Sequence, residues 1–163
     1  MIRVLKADTT NVRGQRNVID GEAELLEGFD FNVNSPLTTT LFAPYTATIA
    51  RATGELTVNI PSFIPNERIA APDGATHFRI VTSGTEVDFE NKTFTSDNKD
   101  SGMLPWDAAA TAAINLVNAV TANSTHPLFL LLGVQFFQLV NGVQYPLKNE
   151  SYNTLAIVKV SGV

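Results

Sequence analysis

Apolar and polar residues alternate with a period of two through most of the chain after residue 40, the signature of strands with one covered face. In "GELTVNIP", Leu56, Val58 and Ile60 share one face and Glu55, Thr57 and Asn59 the other, and Pro61 ends the strand. "THFRIVTSGTEVDFEN" alternates on both sides of Ser83-Gly84, which predicts a hairpin with a two-residue turn there. That register sets Phe78 opposite Phe89 and Ile80 opposite Val87 on the apolar side. On the wet side it sets Arg79 opposite Asp88 and His77 opposite Glu90.

A second hairpin is predicted at Asn141-Gly142, because both residues tolerate positive φ. It pairs Val140 with Val143 and Gln138 with Tyr145 on a face continuing into Phe136, Val134, Leu132, Leu130 and Leu128, which is assigned to the core. The opposite face carries Phe129, Leu131, Phe137 and Leu139. An antiparallel strand usually needs only one apolar face, so those four residues require a covering. "TLAIVKV" at 154–160 supplies a closing strand.

Two stretches are ambiguous. "GEAELLEGFDFN" reads as a short helix or a strand, with Gly28 favouring strand in its second half. "DAAATAAINLVNAVTAN" reads as a loop or helical turn followed by a strand, with Ile114, Leu116 and Val120 on one face and Asn118 interrupting. "NVNSPLTTT", "IPNERIAAPDGA", "TSDNKDSGMLPW" and "TANSTHP" are turn-rich and predict loops. Their spacing predicts an antiparallel β-sandwich of about seven strands, immunoglobulin-like or fibronectin-like. It would span residues 41–163, preceded by an arm or added strands over 1–40 with Arg3, Lys6, Arg13 and Arg16.

The 163 residues suffice for a true core without staples. Net charge is −5, and the 11 Lys and Arg residues are scattered, so the chain has no basic footprint for nucleic acid or anionic lipid. It has no cysteine, which excludes disulfides and thiolate chemistry. The N-terminus has no apolar signal-peptide region, and the run over 128–140 is too short to span a bilayer as a helix; the compartment stays open. Sequons at Asn91, Asn123 and Asn149 matter only in a glycosylating pathway.

Candidate chemistry is sparse. The two histidines, His77 and His126, have no metal-ligand spacing. Glu86, Asp88 and Glu90 line one strand face and could bind a hard cation or serve as a glycosidase pair, but Arg79 and His77 opposite them would account for the charges. Asp97, Asn98 and Asp100 lack the ligand pattern of an EF-hand. Trp106 either anchors its apolar loop or presents a stacking platform. No G-x-S-x-G elbow and no glycine-rich phosphate loop occur. No catalytic, cofactor or metal residue is therefore assigned.

The stretches "GATHFRIVTSGTEVDFEN", "LFLLLGVQFFQLVNGVQYPL" and "YNTLAIVKV" resemble segments of uncharacterised bacterial proteins of the Bacteroidota type that end in a similar β-sandwich half. The resemblance covers mainly residues 75–160 and implies no activity.

The expectation is a non-enzymatic structural module that assembles with itself or binds a protein partner through Phe129, Leu131, Phe137 and Leu139. Two internal coverings compete with it: the arm folding back over that face, or a helix over 107–120. The alternative function is a carbohydrate-binding or carbohydrate-cleaving β-sandwich using Trp106 beside the acidic face of Asp88 and Glu90.

Overall fold

The computed structural model describes residues 23–162 and, before them, residues 6, 7, 9 and 12. Arg3, Arg13 and Arg16 of the expected arm, and the Asn149 side chain, lie outside the described residues.

The chain is mainly β and built of antiparallel sheets. The strands are β1 (Thr46–Ala50), β2 (Glu55–Ile60), β3 (His77–Asp88), β4 (Thr93–Asp100) and β5 (Leu104–Pro105), then β6 (Ile114–Ala119), β7 (Leu128–Val140), β8 (Val143–Pro146) and β9 (Thr154–Ser161). One sheet has the order β1-β2-β6. In the other, β7 pairs with β3 along one edge and with β9 and then β8 along the opposite edge, while β4 and β5 share the far side of β3. An extra residue in β9, Val158, lies between the partners of Leu130 and Leu131 and bulges that ladder.

Alternation accounts for the core. Leu56, Val58 and Ile60 of β2 and Ile114 and Leu116 of β6 meet Phe78 and Ile80 of β3 and Leu128, Leu130, Leu132, Val134 and Phe136 of β7 in one buried cluster. The strands expected over 55–60 and 154–160 are present, and the one expected over 114–120 is present over Ile114–Ala119. The stretch over 107–113 is loop, so no helix there covers the second face of β7.

The predicted hairpin at Ser83-Gly84 is absent: β3 runs unbroken through it and turns at residues 89–92. Gly84 is a close-approach glycine, not a turn glycine. A Cβ at residue 84 would lie 2.7 Å from Asn118 Cβ and 3.4 Å from Leu56 Cβ in the facing sheet. The turn forms six residues later because the Asp88 carboxylate accepts the backbone N–H of Glu90 (3.0 Å) and Asn91 (2.9 Å), and Lys92 adopts φ 57°. Arg79 and His77 therefore do not face Asp88 and Glu90; their β7 partners are Gln135 and Phe137.

A second correction concerns "TSDNKDSG", expected as a loop. It forms most of β4, an edge strand exposed along nearly its whole length, so no apolar alternation marks it. Nine strands form among the described residues, and two of them, of 12 and 13 residues, are long.

Residues 23–40 are packed onto the sheets. Ala23–Leu26 forms a 3₁₀ turn, and the following segment runs along β9, with Gly28 N–H donating to Ile157 O (2.8 Å) and Phe31 N–H to Leu155 O (2.9 Å). At the same end as the 3₁₀ turn, where Gly162 N–H donates to the Glu24 carboxylate (2.7 Å), the Arg51 guanidinium donates to the carbonyls of Ser124, His126, Ser161 and Gly162 at 2.6–2.9 Å. It joins the β1–β2 turn, the β6–β7 loop and the end of β9 at one point.

Candidate functional site

The four residues expected to form an association face divide into two pairs. Phe129 is 6% exposed and sits in a second cluster with Ala23, Ile157 and Val160, with Leu26, Val87, Phe89 and Leu131 packed around it. The Phe89 ring meets Phe129 edge-on, centroids 6.4 Å apart. At this end the chain covers its own second face, using the Ala23–Leu26 turn and the end of β3. The expectation that Phe129 and Leu131 stand open in an isolated chain is corrected: Phe129 is buried and Leu131 half-buried.

Phe137 and Leu139 lie at the far end. Phe137 is half-buried, its ring under the Arg79 guanidinium at 5.1 Å, and Arg79 is itself held by two hydrogen bonds to Gln135 Oε1 (3.1 and 2.8 Å). Leu139 is exposed.

Beyond Phe137, β7 outruns its neighbours. Pairing with β3 ends at His77–Phe137 and pairing with β9 ends at Val134, so residues 138–140 are laddered only with β8, and one bond at the base, Leu139 N–H to Thr76 Oγ1 (2.8 Å), ties them to the segment before β3. Thirteen residues at roughly 3.3 Å each make a strand of about 43 Å, longer than a small domain's core. The surplus projects as a two-stranded ribbon. Its Asn141-Gly142 turn has φ 50° and 79°, and its register is the predicted one: Val140–Val143, Leu139–Gln144, Gln138–Tyr145 and Phe137–Pro146.

The face carrying Val140, Val143 and Tyr145 was assigned to the core, and this is also corrected. Val140 is 43%, Val143 50% and Tyr145 52% exposed, because the facing sheet does not reach this far. No charged residue occurs from 127 to 147. Leu139, Val140, Val143 and Tyr145 thus form an open, uncharged apolar patch on both faces of the ribbon. The missed signal was strand length: side chains next to a hairpin tip are farthest from the core, whatever their parity.

The other candidate residues are engaged locally. Glu86 is buried and accepts the Ser124 hydroxyl at 2.6 Å and the Thr121 N–H at 3.3 Å. Burial pushes its pKa up, but those hydrogen bonds, with a smaller contribution from His126, outweigh it and hold the carboxyl below the ordinary glutamate value. Asp88 is held low chiefly by the Asn91 N–H and amide, and His126 Nε2 lies 3.8 Å from it. Glu86, Asp88 and His126 border a cavity of about 120 Å³ with Thr93, Phe94 and Thr95. Glu90 is exposed outside it.

Asp97 accepts the Ala119 N–H (2.8 Å) and pairs with Lys99 (3.0 Å). Asp100 accepts the Gly102 N–H (2.7 Å) and lies three residues along the strand from Asp97, hence on its other face. Among the described residues no three His, Asp or Glu side chains converge to hold a metal ion. Trp106 is half-buried against the main core and donates its indole N–H to Ile69 O (3.1 Å), the anchoring arrangement. His77 Nδ1 lies 2.9 Å from Thr76 Oγ1.

No protein-family model, curated protein or solved structure matches the chain. Among the described residues no helix is long and apolar enough to cross a membrane.

Proposed function

We propose that the two sheets form a β-sandwich that serves as a non-enzymatic association module, and that its contact element is the projecting β7–β8 ribbon. The observation that carries this reading is the open apolar patch of Leu139, Val140, Val143 and Tyr145 on an element that outruns the core. A two-stranded ribbon is only marginally stable by itself in water. One bearing apolar side chains on both faces gains most when a second surface covers it.

The occupant that fits is a second copy of this chain. Each copy carries −5, so two copies repel least where they meet through the stretch without charge, residues 127–147. Fully burying a side chain such as Val or Leu contributes roughly 1.5–3 kcal/mol, and these start about half covered. A ribbon of nine residues is also smaller than the roughly 20–30 residues per side of a standard interface. The association is therefore weak and reversible, with a dissociation constant of about 1 μM or higher.

Sedimentation over a concentration series tests the reading. The wild-type chain is expected to gain mass with concentration, and Val143→Asp to stay monomeric with an unchanged melting temperature. Wild type and variant sedimenting alike at every concentration would overturn it.

A further inference from the structure

We infer that Asn141-Gly142 is a deamidation site and that the carboxylate it generates switches off association through the ribbon; the switch, though not the chemistry, rests on the reading above. It is the only Asn-Gly pair in the chain, and it occupies the exposed tip of the ribbon. Glycine has no Cβ to obstruct approach to its backbone nitrogen. The Gly142 N–H takes no part in the ladder, whose last pair is Val140–Val143. No neighbouring strand lies alongside residues 141 and 142, so the turn can open for the reaction without disturbing the core.

The step balances without any oxidant or reductant. The Gly142 nitrogen attacks Asn141 Cγ, a new N–Cγ bond forms, the Cγ–Nδ2 bond breaks, and ammonia leaves with the proton given up by the peptide nitrogen. Water then opens the cyclic imide at either carbonyl, leaving an aspartyl or isoaspartyl residue with one new carboxylate. That carboxylate is the only charge between residues 127 and 147, and it adjoins Val140 in the apolar patch. Two copies that meet through the ribbon must then bring like charges together in a stretch that supplies no charge of its own to offset them.

The test uses the full chain aged in mildly alkaline buffer, with peptide mass spectrometry across the ribbon and sedimentation on the same samples. Asn141→Asp installs the charge directly, and Asn141→Gly removes the reactive amide; both sequences suit the same turn. The expected result is conversion to acid at residue 141 ahead of every other asparagine. The dissociation constant should rise by roughly tenfold or more in aged wild type and in Asn141→Asp, and stay unchanged in aged Asn141→Gly. Conversion no faster at 141 than elsewhere would overturn the site even while fresh wild type associates. Conversion with unaltered association would overturn the switch. A fresh wild-type chain that is monomeric at all concentrations would overturn the association reading and the switch together, while the peptide masses still decide the chemistry.

Discussion

Gly84 and Asn118 face each other across the two sheets so closely that a Cβ on residue 84 would stand 2.7 Å from Asn118 Cβ. Asn118 is fully buried there and donates its side-chain amide to Asp97 O at 2.7 Å, which ties β6 to the edge strand β4. Backbone and Cβ atoms cannot step aside as a flexible side-chain end can. Gly84→Ala is therefore expected to destabilise by about 1–3 kcal/mol, read from chemical denaturation. A variant as stable as wild type would show that the sheets do not meet at this spacing.

The covered and open ends of β7 should respond oppositely to the same chemical change. Phe129→Asp places a charge among Ala23, Phe89, Ile157 and Val160 and is expected to cost more than about 4 kcal/mol, a large share of the roughly 5–15 kcal/mol that holds an ordinary domain folded. Leu139→Asp sits on the exposed ribbon and should alter the melting free energy by no more than about 0.5 kcal/mol. Equal losses at the two positions would mean that the ribbon end is as deeply covered as the Phe129 end.

Glu86 sets an acid limit. Its carboxyl is held below the ordinary glutamate value in the folded chain, so the stabilisation is present above the unfolded-state pKa and is lost as pH falls through the folded one. Ser124→Ala removes the 2.6 Å hydrogen bond and leaves burial to push the pKa up. Ser124→Ala should then be less stable than wild type at neutral pH, and the gap should narrow as pH falls through the ordinary glutamate range, measured by thermal unfolding across a pH series. Superimposable profiles would remove Glu86 from the account.

Arg51 holds three chain segments with one planar group, and lysine cannot reproduce the fork. Arg51→Lys should lose about 2–4 kcal/mol, and limited proteolysis should then cut within residues 120–127. A lysine variant as resistant as wild type would show that the contacts to the Ser124 and His126 carbonyls are dispensable.

The parts of this fold that the sequence made legible are those where one face is buried and the other wet. Leu56, Val58 and Ile60 announced β2 through alternation, and Asn141-Gly142 announced its hairpin because few residues accept positive φ. Ser83-Gly84 carried the same local signal for a different reason, the approach of Asn118, and no local pattern separates the two uses of glycine. β4 was hidden because an exposed edge strand needs no apolar face. Of the association surface, the surplus of apolar residues on β7 was visible. Its division was not: covering Phe129 depends on Ala23, distant in sequence, and exposing Val140 and Tyr145 depends on where β3 and the facing sheet stop.

Amide hydrogen exchange of the wild-type chain at rising protein concentration tests the central claim most directly. If the β7–β8 ribbon is where copies meet, peptides covering 138–146 gain protection as concentration rises, while peptides covering 128–134, already enclosed between β3 and β9, do not change. Protection over 138–146 that is independent of concentration, or a gain confined to any other segment, would contradict it.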